Sequence, residues 1–107
     1  MTAYAISEIE VLNETIAEEY RKLALPTIAL YGGHYIVRAV PEAVEGSWSP
    51  QRIIMICEWP DVDRAKEWYN SPEYAEALKM SKVALDRRLY FAEGLKSELT
   101  PSLGEVG

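Results

Sequence analysis

The sequence holds few of the residues on which covalent and metal chemistry usually depend. Its 107 residues include one histidine, His34, and one cysteine, Cys57. A single cysteine cannot close an internal disulfide, so a reducing compartment is compatible with the chain. Cys57 sits in the apolar run "RIIMICEW" and reads as an inert buried thiol. One histidine without a second histidine or a cysteine beside it is a poor basis for a transition-metal site, and no metal or other cofactor is expected. There is no Gly-x-Ser-x-Gly stretch and no phosphate loop. The pair Gly32-Gly33 is too short to mean more than a helix stop. Basic runs are missing too: 11 Lys and Arg stand against 17 acids, a net charge of −6. That balance argues against nucleic acid and against an anionic membrane surface, both of which need a positive face. No segment approaches the roughly 20 apolar residues of a membrane span. The opening "MTAYAISEIEV" lacks the basic n-region of a signal peptide. A soluble, cytoplasmic protein is expected.

What is present is apolar and patterned. Nearly half of the residues, 49%, are hydrophobic, too many for a disordered chain. The length suits one domain, residues 1–95, with a tail at 96–107. So small a domain buries only about two-thirds of its unfolded surface, and pairing with a second copy would help it.

Period-two alternation predicts a strand over 3–11. Asn13 offers an N-cap for a helix whose stripe is Ile16, Tyr20 and Leu23. Pro26 is expected to interrupt that helix and start a second piece, ended by Gly32 and Gly33 in a left-handed C-cap. A second strand follows at about 34–40, a connector at 41–50 and a third strand at 51–59. Asp61 caps a short helix with Ala65, Trp68 and Tyr69 inward. Ser71-Pro72-Glu73 starts another, carrying Tyr74, Leu78, Ser81 and Leu85. Residues 88–94 read as the last strand. The order β-α-β-β-α-β is the split βαβ, ferredoxin-like pattern, an α+β fold with a four-stranded antiparallel sheet and helices on one face. The third strand is apolar on both sides: Ile53, Met55, Cys57 and Trp59 on one, Ile54 and Ile56 between Arg52 and Glu58 on the other. Helices cover one face only, so a second subunit's sheet is expected on the other, giving a twofold homodimer.

The strings "YGGHYIVRAV", "EGSWSPQRIIMICEWPDVDRAKEWYNSPEY" and "RLYFAEG" resemble the small bacterial family known as domain of unknown function 1330, over roughly residues 2–95. That family falls in the dimeric α+β barrel superfamily, whose members include cofactor-free monooxygenases, muconolactone isomerase, olivetolic acid cyclase-like proteins and haem-handling enzymes. The resemblance implies the fold and the homodimer, and leaves the chemistry open because fold alone does not fix function. It also implies an arginine near position 81 and a residue other than histidine at 34. This chain has Ser81 and His34 there, with Lys79, Lys82 or Arg87 as the basic side chains available to substitute.

By period two, His34, Ile36, Arg38 and Val40 share one face of the second strand. Arg38 either forms an ion pair with Glu58 that fixes register, or holds a carboxylate, enolate or phenolate in a cleft between sheet and helices; its permanent charge and planar fork suit both roles. His34 is a candidate general base, a lone haem ligand, or a half-exposed side chain after a glycine turn. Tyr20, Tyr31, Trp48, Trp59, Trp68, Tyr69 and Tyr74 are expected around the cleft, either as core packing or as an apolar pocket with polar handles. Glu45 is a solvated loop acid or a partner for a basic group. The functional expectation is a homodimer that binds a small carboxylated or aromatic molecule. If it is an enzyme, the expected chemistry is cofactor-free, of isomerase, cyclase, lyase or monooxygenase type. The catalytic candidates are His34 and Arg38; the ligand-binding candidates are Tyr20, Trp48, Glu58, Trp68, Tyr69 and Tyr74. The alternatives are a non-catalytic ligand-binding or assembly dimer and a haem-binding or haem-degrading protein.

Overall fold

The computed structural model describes residues 1–95; the expected tail at 96–107 lies outside the described residues. In chain order come β1 (Ala3–Val11), α1 (Glu14–Leu30), β2 (His34–Ala39), β3 (Arg52–Trp59), α2 (Val62–Tyr69), α3 (Pro72–Ala84) and β4 (Leu85–Glu93). The strands form one sheet in the order β2-β3-β1-β4, with every neighbouring pair antiparallel. This is the ferredoxin-like α+β fold, its second crossover divided between α2 and α3. Among the described residues no helix is long and apolar enough to cross a membrane.

Each helix starts where a side chain can satisfy an orphan amide. Asn13 accepts from the Ile16 amide at 3.0 Å, Asp61 from Arg64 at 2.8 Å and Ser71 from Tyr74 at 3.2 Å, contacts typically worth about 1 kcal/mol each. α1 ends as its glycines demand. Gly32 takes φ +89°, its amide bonds the Ala29 carbonyl at 3.0 Å, and the Gly33 amide bonds that of Ile28 at 2.9 Å; this is a Schellman end. A Cβ on Gly33 would lie 2.7 Å from the Trp59 ring, so the close approach of that indole needs glycine.

Three expectations are corrected. Pro26 does not break α1: one helix runs from Glu14 to Leu30 with the proline inside it. An interior proline costs about 3 kcal/mol, but the turn beyond it buries Thr27 and Ile28. The buried stripe of α1 is Ala17, Tyr20, Ala24, Thr27 and Ile28, while Leu23 is exposed. Finally, β4 begins at Leu85, three residues earlier than its composition suggested, which moves Arg87 from a linker into the sheet.

Register assigns the faces, because cross-strand partners point the same way. Ala5, Ser7 and Ile9 on β1 oppose Cys57, Met55 and Ile53 on β3 and Phe91, Leu89 and Arg87 on β4. This is the helix-covered face. The other, open face carries Ile6, Glu8 and Glu10 opposite Ile56, Ile54 and Arg52, with Tyr90, Arg88 and Asp86 on β4. On β2 the pairing shifts between Tyr35 and Val37: Tyr35 opposes Cys57, yet Val37 opposes Ile56. Ile36 is the extra residue of a β-bulge, and simple alternation fails across it. His34 therefore pairs with Glu58 on the open face, while Arg38 pairs with Met55 on the helix-covered face beside Tyr35. The expected sharing of one face by His34 and Arg38 is corrected.

Candidate functional site

A cleft of about 170 Å³ runs across the helix-covered face beneath α1. Ser7, Ile9, Ile53 and Met55 form its floor, and Tyr20, Ala24 and Leu25 its roof. Three arginines border it: Arg21, Arg38 and Arg87. Arg21 is already neutralised by Glu18 at 2.8 Å and Glu14 at 3.1 Å. Neither Arg38 nor Arg87 has a carboxylate in ion-pair contact among the described residues.

Arg87 is held by hydroxyls. Its Nη1 donates to Tyr20 Oη at 2.9 Å, and its Nη2 donates to Tyr74 Oη and to Ser81 Oγ, both at 3.2 Å. Ser81 spends its own proton on the Leu78 carbonyl at 2.7 Å, which leaves its oxygen free to accept. Burial pulls the guanidinium pKa down, but Tyr20 and Tyr74 raise it by more, so the group stays charged. A guanidinium has five N–H donors; three are used here.

The two phenols share one hydrogen bond, Tyr20 Oη to Tyr74 Oη at 2.8 Å. Two hydroxyl protons and one mutual bond leave one proton over. Tyr74 is wholly buried, whereas Tyr20 borders the cleft. If Tyr74 is the donor in that bond, the Tyr20 proton is the one left over beside the cleft. Burial pushes the Tyr74 pKa well above that of an ordinary phenol, so it remains protonated.

Tyr35 was not anticipated as a site residue. It borders the cleft, and its hydroxyl has no protein partner among the described residues. Burial raises its pKa, while Arg87 and Arg38 both pull the other way, which places the phenol in the field of both cations. Strict alternation put Tyr35 on the side opposite Arg38. Only the bulge brings them together, and Ile36 carries no signal that announces one.

The remaining candidates spread out. His34 is exposed on the open face, its Nε2 3.2 Å from Glu58 Oε1. The expected Arg38–Glu58 pair is thus corrected: Glu58 belongs to His34. Trp48 donates to the Arg52 carbonyl at 2.8 Å in the β2–β3 connector and does not border the cleft. Trp68 is buried beneath α1, donating to Thr27 Oγ1 at 3.0 Å and stacked on Tyr74 with centroids 4.1 Å apart. Tyr69 borders a separate, polar depression with Lys82 and Asp86, where Arg87 shows its other side. Tyr31 donates to Glu73 at 2.8 Å, and Glu45 is an exposed loop acid.

The family model described as "Domain of unknown function (DUF1330)" matches residues 2–95. Similar solved structures include a protein of unknown function from Rhodopseudomonas palustris, 19% identical, with a TM-score of 0.71 over 89% of this chain and 83% of that one. SnoaB, a cofactor-independent oxygenase from Streptomyces nogalater, is 9% identical, with a TM-score of 0.65 over 90% and 95%. A dimeric protein of unknown function with a ferredoxin-like fold from Bacteroides fragilis is 14% identical, with a TM-score of 0.57 over 87% and 96%. At these identities the likeness is one of fold. No curated protein matches the sequence.

Proposed function

The chain belongs to the DUF1330 family, and from that premise and the cleft geometry we propose that it binds a small aromatic or carboxylated molecule as an anion beneath α1. The observation that carries this reading is Arg87, a largely buried cation bonded to three hydroxyls and with no carboxylate in contact among the described residues. A charge taken out of water needs a partner, and here the partner is the ligand. Arg87, Tyr20 and Tyr35 all border one largely apolar cleft, and in this reading they act there as donors. Such an array stabilises an oxyanion. It lowers the pKa of a bound phenol or enol and holds a carboxylate outright.

The residues bordering the cleft include no carboxylate and no imidazole. The chain therefore supplies stabilisation of the anion, and the ligand's proton leaves to solvent. An enolate or phenolate held this way is electron-rich, the starting point for cofactor-free isomerisation, cyclisation, elimination or oxygen addition. Arg38 stands at the β2 end of the cleft as a second cation. His34, on the open face, takes no part. That face presents Ile6, Val37, Ile54 and Ile56 half-buried and Tyr90 exposed, and a second copy of the chain covers it in a twofold homodimer.

The test uses 4-nitrophenol, whose phenolate absorbs in the visible. Protein in excess should lower its apparent pKa, and Arg87→Met should abolish the shift while circular dichroism stays unchanged. A probe that titrates identically with and without wild-type protein, or a shift that survives Arg87→Met, would sink the reading.

A further inference from the structure

Arg38 and Arg87 sit at opposite ends of the same cleft. β2 and β4 are the two edge strands of the sheet, so three interstrand gaps, about 14 Å in all, separate the two backbones. The floor between them is Ile53 and Met55 on β3 and Ser7 and Ile9 on β1. Register fixes the offset: Arg38 lies in the row of Met55, Ser7 and Leu89, and Arg87 in the adjacent row of Ile9 and Ile53. Both side chains thus leave the sheet on its helix-covered side, where both border the cleft. Tyr35 borders the same cleft as both arginines.

The third arginine sharpens the contrast. Arg21 hangs over the same space yet carries two glutamates of its own. The cations without a carboxylate in contact among the described residues are therefore Arg38 and Arg87, with Glu18, which is bonded to Arg21, also lying in the field of Arg38. An apolar middle with a cation at either end is complementary to a molecule built the other way round. A cavity of about 150 Å³ holds one benzene, so a cleft of about 170 Å³ takes a single substituted ring with groups reaching both ends.

We propose that the ligand is two-headed: one ring or short apolar body with an acidic group at each end, a carboxylate or phenolate at Arg87 and a second at Arg38. This rests on the reading of the cleft as an anion site and adds to it the substrate class and the role of Arg38 as the residue that selects the second acid. Arg38 is exposed and its side chain makes no hydrogen bond or ion pair among the described residues, so replacing it leaves the protein folded.

Isothermal titration with benzoate and with terephthalate, which share a ring and differ by one carboxylate, tests it on the whole chain. Terephthalate should bind about tenfold or more tightly than benzoate. Arg38→Met should erase that advantage, so that the two acids bind alike, whereas Arg38→Lys should keep part of it. Arg87→Met should weaken both acids. Equal affinity of the two acids for wild-type protein, or an advantage that persists in Arg38→Met, overturns the two-headed ligand and leaves the single-anion site standing. Binding of neither acid, together with an unshifted 4-nitrophenol, overturns both.

Discussion

Two arginines on opposite faces of one sheet show how similar burial serves different ends. Arg52, on the open face, is enclosed by acids: Asp86 at 3.1 Å, Glu10 at 3.8 Å and Glu8 at 3.9 Å, with a further bond to the Glu8 carbonyl at 3.2 Å. It ties β3, β1 and β4 together, and its charge is spent. Arg87, on the helix-covered face, bonds hydroxyls and lies over the Tyr20 ring, with no carboxylate in contact among the described residues, and its charge is unspent. Solvation explains the difference in consequence. A neutralised guanidinium fixes register, while a guanidinium solvated by neutral oxygens keeps a field that an incoming anion can feel in a low-dielectric space.

The largest expected effect breaks the comparison on the Arg87 side. Arg87→Met should cost benzoate about 3 kcal/mol of affinity, roughly a hundredfold. It should leave the melting temperature unchanged or higher, because an uncompensated buried charge is removed and Tyr20 and Tyr74 still bond each other. Calorimetry and thermal unfolding read the two outcomes separately; a clear loss of stability with intact binding would reverse the roles assigned to the two arginines.

Next comes the mirror experiment. Arg52→Met leaves Glu8, Glu10 and Asp86 facing one another and should destabilise the fold by about 1–3 kcal/mol in urea unfolding. Benzoate affinity, measured on the still-folded variant, should not change.

These contrasts also mark what the sequence made legible. The helix caps Asn13, Asp61 and Ser71, the Gly32-Gly33 stop and the strand order all follow from local chemistry, and all appear where the residues put them. Arg38 was singled out because a guanidinium in a strand needs a reason. Arg87 went almost unnoticed. "DRRLYF" hides a strand start behind charged residues, and only pairing with β1 draws Leu85 to Arg87 into the sheet. The bulge was invisible for a related reason: Ile36 is an ordinary strand former, and the shift exists only relative to β3. Aromatic clustering was readable, but its centre was not. Tyr20 on α1 does gather with Trp68 and Tyr74, whereas Trp48 and His34 belong elsewhere.

A smaller effect sharpens the comparison within the cleft. Tyr35→Phe removes one neutral donor and should weaken benzoate by about 0.5–1.5 kcal/mol, with stability unaffected. An unchanged affinity would remove Tyr35 from the donor set and leave Arg87 and Tyr20 alone.

The last contrast is by titration. Beside Tyr35, burial pushes the Cys57 thiol from its ordinary 9.0 up to about 12. Between those values the folded chain holds a proton that the unfolded chain has released. The associated stability is complete below pH 9 and is lost as pH rises toward 12. Burial raises Tyr35 and Tyr74 as well, from their ordinary 10.0, and they act in the same sense from about pH 10 upward. Urea unfolding across this range should show falling stability, with a shallower decline in Cys57→Ala. An identical slope in the variant would exclude the thiol as a contributor.

The bulge at Ile36 has one more consequence, for how molecules of this protein meet. β2 lies at the rim of the sheet, and a straight rim strand offers its free amides and carbonyls as a template for another chain. The extra residue interrupts that template halfway along a strand of six. Rim-to-rim growth of copies into a ribbon is thereby disfavoured, since such growth consumes both rims at every step. The proposed pairing through the flat open face does not use either rim.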